Sequence, residues 1–391
     1  MTLSAQQRLD WPDIAKGLSI LGVVVLHVSL AVPGGMDTML AHANRLLDPL
    51  RMPLFFLVSG FFSAKVLRLS FADLFLKRLW FFIVPYVFWG PIELWLKFRE
   101  YHLFDGSPMP VAGKYVEYLA EGRTMYWFLL TLIVFNLILW AVRKLNPGLV
   151  FLVALVPLVF LPFQSEHLMF GRLVLYLPPF LIGAYLRDRI AAFAAEGASV
   201  RNVVGSSALY VAAFVASLWF SIYHANNDVD LPWFLPGAEY LTLSEARVVV
   251  ISLVQMAMIP MALVVAVLLA KIKVVARVLK FLGHHTLVIY LGHPMALTVL
   301  FHYNVRNTDL AIARDAPMLW EHTAFWMVVG LIISAIGSYT MWLISNIPVI
   351  GWTIKPPALA GRVNNAATRA SLAEPLVEEP AHSAGQKPRH S

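Results

Sequence analysis

The 391-residue sequence predicts an all-α polytopic membrane protein with about ten transmembrane helices and a cytoplasmic N-terminus. Three observations carry that prediction. Apolar residues make up 59% of the chain and charged ones 14%, with a mean hydropathy of +0.70. Ten runs are apolar enough to read as spans, and the lysines and arginines gather in alternate connections between them. A soluble chain of this length would suggest two or three domains. This composition places most of the chain in lipid instead.

The first run covers residues 14–32, inside the stretch DIAKGLSILGVVVLHVSLAV. No short apolar core with a cleavage site precedes it, so it reads as an uncleaved anchor. It carries Lys16 near its start and His27 in its interior. At 1.5 Å and 100° per residue the two lie roughly 16 Å apart and about 20° from the same face. With Lys16 at the cytoplasmic lip, His27 falls near the middle of a hydrocarbon core about 30 Å thick. An ionisable group at that depth is costly and points to function. The plainer account is a histidine hydrogen-bonded to a neighbouring helix.

The remaining runs lie near 50–67, 79–98, 124–142, 148–163, 168–186, 202–223, 247–270, 281–303 and 321–345. Only Gln164 to His167 joins the fifth to the sixth, which predicts a tight helical hairpin. Pro85, Pro91, Pro157, Pro178, Pro179, Pro260 and Pro294 fall inside helices, so the carbonyls they free need partners on neighbouring helices. Residues 68–80 (RLSFADLFLKRLW) read as a basic amphipathic segment on the cytoplasmic surface.

With the N-terminus inside, 20 of the 30 basic and 8 of the 23 acidic residues fall on the cytoplasmic side. The net +7 is therefore mostly topological, and no nucleic-acid module is visible. The membrane domain is expected over 1–350, followed by a disordered cytoplasmic tail over 351–391 that is rich in Ala, Pro, Glu and Ser. Two long outer connections, 99–123 and 224–246, carry acids, Asn and Trp. They suit a sugar, and equally suit an ordinary solvated loop with interfacial tryptophans. The absence of cysteine excludes a thiol nucleophile, a disulfide framework and thiolate-bound metal.

Several further residues invite two readings each. Arg51 opens RMPLFFLVSGFF, in which Ser59 and Gly60 fall at mid-span. A Ser–Gly pair there is a close-packing site between helices or, more sharply, a polar contact or nucleophile near His27. Arg172 and Tyr176 lie one turn apart; the arginine either snorkels or binds an anionic or sugar headgroup. In FLGHHTLVIYLGHPM, Tyr290 and His293 are the deeper polar groups. Glu93 is a further intramembrane charge with no obvious partner.

These residues also carry a resemblance. RLDWPDIAKGLSILGVVVLH is similar to the opening of the acyltransferase 3 family of integral-membrane acyltransferases, whose signature is a basic residue, ten positions, then histidine. RMPLFFLVSGFF, MYWFLLTL (125–132), YLPPFLIGAYL (176–186) and YLGHP (290–294) follow in the family's order, so the resemblance spans residues 8 to about 345. It implies a ten-helix fold, an acyl-coenzyme A donor on the inside and a carbohydrate or glycolipid acceptor on the outside. His27 corresponds to the catalytic histidine and Lys16 to its basic partner. Lys16 stands where many relatives have arginine, keeping the charge and losing the planar fork. No extracellular hydrolase-like domain is appended.

The expected function is a membrane O-acyltransferase, acetyl being the favoured group, in the inner (plasma) membrane. Acetyl-CoA would be the co-substrate, and no metal is expected. The acceptor is an extracytoplasmic saccharide or glycolipid, a trehalose mycolate-type lipid among the candidates. Coenzyme A is polyanionic, which nominates Lys16, Lys65, Arg68, Lys77 and Arg78 as donor-binding residues. Arg51, Ser59, Arg172, Tyr290 and His293 are nominated for the acceptor. His27 would act as general base, for which it has to be uncharged near pH 7. The alternative is a glycolipid or saccharide transporter or flippase, which produces no acylated product. A rhomboid-like serine protease is disfavoured because LVSG lacks glycine two places before the serine. A bis-histidine haem or metal protein is disfavoured because His284 and His285 point to different faces and no HExxH occurs.

Overall fold

The computed structural model describes residues 10–359, apart from 165–166, 228, 235–237, 306–307 and 309. The chain is all-helical, with 79% of it in helix. Seven helices among the described residues are long and apolar enough to cross a membrane. They are α1 (Trp11–Ala31), α4 (Phe71–Asp105), α8 (Leu168–Tyr185), α10 (Val200–Asn226), α11 (Leu243–Lys271), α13 (Thr286–Val305) and α14 (Thr323–Ser345). The other three expected segments are also helical but shorter. They are α3 (Asp48–Ser63), α6 (Trp127–Ala141), and a run from Pro147 to Phe163 in which α7 (Pro147–Val153) gives way to a 3-10 helix.

Local chemistry explains the ends. Pro12 occupies the first turn of α1, where a missing N–H costs nothing, and Asp13 complements the dipole of that turn. Gly34, at φ +66°, turns the chain after α1. Thr242 and Glu245 form a reciprocal capping box at the start of α11. Between α10 and α11 a minimal antiparallel pair, β1 (Leu231–Pro232) and β2 (Tyr240–Leu241), sets Leu231 opposite Leu241.

α1 is the hub of the packing. Its first half (Trp11, Ile14, Ala15) lies in a core with α3, α11 and α12 (Lys273–His284), and its second half (Ile20, Val24, Val28) in another with α13 and α14. Three helix pairs are knitted by reciprocal glycines. A Cβ on Gly60 of α3 would collide with the carbonyl oxygen of Phe180, and one on Gly183 of α8 with that of Leu57. Gly17 meets the Leu279 carbonyl while Gly283 meets that of Asp13, and Gly292 and Gly337 face each other across α13 and α14. Bare backbone at these points allows the closest approach two helices can make in lipid.

The connection from α1 to α3 is not a simple turn. Asn44, on the short helix α2 (Met39–Arg45), donates from Nδ2 to the Gly22 carbonyl at 3.0 Å. The Arg51 side chain crosses α1 at the same glycine. Trp11 packs edge-on against Phe61 at the other end of α3, with ring centroids 5.3 Å apart. α2 therefore returns alongside α1, and α3 starts level with Gly22 and ends level with the start of α1.

Three expectations need correcting. Residues 71–80 do not form a separate surface segment: they are continuous, through a π-turn at Phe75–Leu79, with the helix that runs on to Asp105 and accommodates Pro85 and Pro91 in its interior. The amphipathic basic helix is α12, cut from α13 at His285. The packed body also continues past residue 350, since Ile354 is fully buried among α1, α13 and α14. The rest of the expected tail, from residue 360, lies outside the described residues, as do parts of the 164–167 and 224–246 connections.

Candidate functional site

A cavity of about 1080 Å³ runs between α1, α3, α4, α6, α8, α10, α11 and α13. At the N-terminal end of α1 it is lined by Asp13, Lys16, Ser63, Lys65 and Arg78. Towards the other end the lining includes His27, Arg51, Trp127, Tyr176, Arg247 and Tyr290. From Asp13 to His27 is fourteen residues, about 21 Å along α1.

His27 is nearer the C-terminal end of α1 than its middle, since the helix starts at Trp11 and stops at Ala31. Its Nδ1 lies 2.8 Å from Nε2 of His293, and the two rings are within 15° of coplanar. Their centroids are 5.0 Å apart, close to the greatest separation that contact permits between two five-membered rings. The imidazoles thus meet edge to edge along a hydrogen bond and are not stacked face to face. His293 is fully buried and lies behind His27, away from the cavity wall; its own Nδ1 is 2.6 Å from the Ile289 carbonyl oxygen. It therefore does not line this cavity, where the sequence expectation placed it among the acceptor-binding residues.

The backbone around this pair is stapled. Tyr126 donates to the Leu291 carbonyl at 2.6 Å, and Tyr290 donates to the Met125 carbonyl at 2.7 Å while accepting from the Phe128 N–H at 3.1 Å. MYWFLLTL and YLGHP, 165 residues apart at these bonds, are thus brought together. Glu93 Oε2 accepts from the Met125 N–H at 3.3 Å, which gives that charge its partner. Tyr290 lines the cavity with its hydroxyl proton already committed.

Lys16 pairs with Asp13 at 2.8 Å, and the other Asp13 carboxylate oxygen lies 3.2 Å from His284 Nε2. Arg78 donates to Ser63 Oγ at 2.8 Å, yet its Nε is buried with no hydrogen-bond partner. Three of the five nominated donor-binding cations, Lys16, Lys65 and Arg78, line the cavity. The other two do not: Arg68 is exposed, and Lys77 is spent on Asp73 at 2.6 Å, one turn back on the solvent side of the helix.

Arg51 pairs with Asp48, and its Nη1 is a second buried donor with no partner. Arg172 does not line the cavity. It is held over the Trp127 ring at 4.7 Å and reaches the Glu121 carbonyl, so it supports the wall rather than forming it. Trp127 in turn stacks on Tyr176 (5.8 Å) and Tyr176 on Phe56 (4.9 Å), a tiered aromatic face. Ser59 lines the cavity, but its neighbour Gly60 is a packing site, and no base hydrogen-bonds the Ser59 hydroxyl among the described residues. No group of three metal-ligating side chains occurs among the described residues.

Sequence reasoning missed Trp127, Asp13, Arg247 and Gln255. Trp127 stood in a quoted motif without a role, and the buried, unpartnered Gln255 Oε1 gave no local signal. Residues 9–343 match a family model described as an acyltransferase domain, that of acyltransferase 3. No curated protein and no solved structure matches the chain.

Proposed function

The chain belongs to the acyltransferase 3 family, and on that premise we propose that it is a multi-pass O-acyltransferase of the inner (plasma) membrane. It takes an acyl group, acetyl being the favoured one, from acyl-coenzyme A on the cytoplasmic side. It delivers that group to a hydroxyl of an extracytoplasmic saccharide or glycolipid, a trehalose mycolate-type lipid being one candidate. The observation that carries this reading is one cavity that joins a cluster of three cations, Lys16, Lys65 and Arg78, at one end to the half-buried His27 imidazole towards the other.

The donor end fits a polyanion. Lys16, Lys65 and Arg78 outweigh Asp13 among the lining residues at that end, which favours phosphate groups there. The thin pantetheine arm would then lie along α1 towards His27. At the far end the Trp127–Tyr176 face offers an apolar platform for a sugar ring, and the Arg51 and Gln255 side chains that line the cavity supply polar groups for its hydroxyls.

His27 takes the proton of the acceptor hydroxyl as its oxygen bonds to the thioester carbonyl carbon. The carbon–sulfur bond then breaks, and the proton on His27 passes to the departing thiolate. The positive charge of Arg51 favours the oxyanion that develops between these steps. The products are an ester and free coenzyme A.

Mass spectrometry of envelope glycans and glycolipids from wild-type and deletion cells tests the reading. Loss of one acyl modification on deletion is expected. Unchanged acylation with altered export of an unmodified glycolipid would favour transport instead.

A further inference from the structure

We propose that His293 is a positioning residue that fixes the tautomer of His27, leaving the cavity-facing nitrogen free to accept a proton. The inference rests on the reading of His27 as the base. A carbonyl oxygen can only accept, so the 2.6 Å contact to Ile289 puts the His293 proton on Nδ1. A neutral ring protonated there carries its lone pair on Nε2, the atom 2.8 Å from His27 Nδ1. His27 must then donate through Nδ1–H, and its own lone pair is on Nε2, on the edge turned away from His293. The Ile289 carbonyl thus dictates, through two rings, which nitrogen of His27 is basic.

An imidazole without partners prefers its proton on Nε2, which would block the nitrogen the reaction needs. In hydrolytic triads a carboxylate prevents this by accepting from Nδ1–H. A carboxylate buried at this depth carries a desolvation cost. His293 supplies the acceptor with no charge. Its ring is held in place by its surroundings: Tyr126 donates to the Leu291 carbonyl, the Tyr290 hydroxyl ties the same segment to the backbone of Met125 and Phe128, and Gly292 packs directly on Gly337. Support of this kind is what a precisely aimed base requires.

The test uses the full chain in inside-out membrane vesicles supplied with labelled acetyl-CoA, reading label in the glycan and lipid fractions. His293→Phe keeps the ring and removes both nitrogens. His293→Gln places an oxygen where Nε2 lies and keeps the acceptor. His293→Asn restores only the donor to Ile289. Expected is a fall of about 100-fold or more in maximal rate for the Phe variant, with the half-saturating acetyl-CoA concentration within about twofold of wild type. The Gln variant should recover at least about tenfold of that loss, and the Asn variant should not. In 15N spectra of histidine-labelled protein, the signals missing in His27→Ala should show His27 protonated at Nδ1. The inference is overturned by wild-type rates in the Phe variant, by rescue with Asn equal to that with Gln, or by His27 protonated at Nε2 in the wild type. If the Phe variant does not fold, the Gln–Asn contrast and the wild-type spectrum still decide. If His27→Ala transfers label normally, the base reading itself has failed; if only His293→Phe does, this inference alone has.

Discussion

Tyr290 faces the cavity, but its hydroxyl proton goes to the Met125 carbonyl and its oxygen accepts from the Phe128 N–H. Tyr290→Phe leaves both backbone groups without a partner. It should cost about 1–3 kcal/mol of stability, read as earlier thermal unfolding in detergent, before any effect on substrate binding. At His27 the effect should be on rate: His27→Ala at matched membrane abundance should slow transfer by about 10²–10⁴-fold, and undiminished acylation would refute its role as base. Among the nominated cations, Arg78→Ala should raise the half-saturating acyl-CoA concentration, while Lys77→Ala should leave it unchanged because that lysine is held by Asp73 away from the cavity. An unchanged donor response in Arg78→Ala would remove it from donor binding. His27 was legible in the sequence because it breaks an apolar run. Its partner was not, since His293 lies 266 residues away and nothing local marks two histidines as neighbours.

Between helices, the decisive contacts are made by residues with no side chain. Gly60→Ala would push a methyl group into the Phe180 carbonyl, and backbone cannot yield as a flexible side chain does. A cost of about 1–3 kcal/mol or more is expected, seen as less folded protein and a lower unfolding temperature. A variant as stable as wild type would show that α3 and α8 can part freely. The sequence suggested that Ser59–Gly60 is a packing site, but could not say against which helix. Gly183, the reciprocal residue, looks like any other glycine in an apolar run. The break at His285 was equally hidden: neither proline nor a turn sequence marks it, and only the spacing of Lys273, Arg277, Lys280 and His284 along one face distinguishes α12 from the span that follows.

Across the whole molecule, hydropathy made the all-helical, multi-pass character and the order of the apolar segments legible, because apolarity is a property of one segment at a time; it did not separate the seven helices long enough to cross from the three shorter ones. The cavity was not legible, because eight helices contribute to it and each supplies only a few of its residues. The charge bias that predicts a cytoplasmic N-terminus has a direct test, since the chain has no cysteine to give background. Ala112→Cys, in the connection after α4, should react with an impermeant maleimide in intact cells. Arg189→Cys, after α8, should react only once the membrane is opened. The reverse pattern would invert the proposed sides of donor and acceptor.

The half-length return of α2 and α3 makes the two journeys unequal. α3 begins only level with Gly22, and His27 lies a single turn below the end of α1; on the proposed reading the thioester would travel most of the way through the protein while the alcohol would enter only shallowly. A shallow port places little limit on what trails behind the reacting hydroxyl, so a polymer or a bulky lipid headgroup can be modified without being swallowed. The same shallowness brings bulk water near the activated acyl group. Slow release of coenzyme A in the absence of any acceptor should therefore accompany transfer, and filling that port with a large side chain should suppress it.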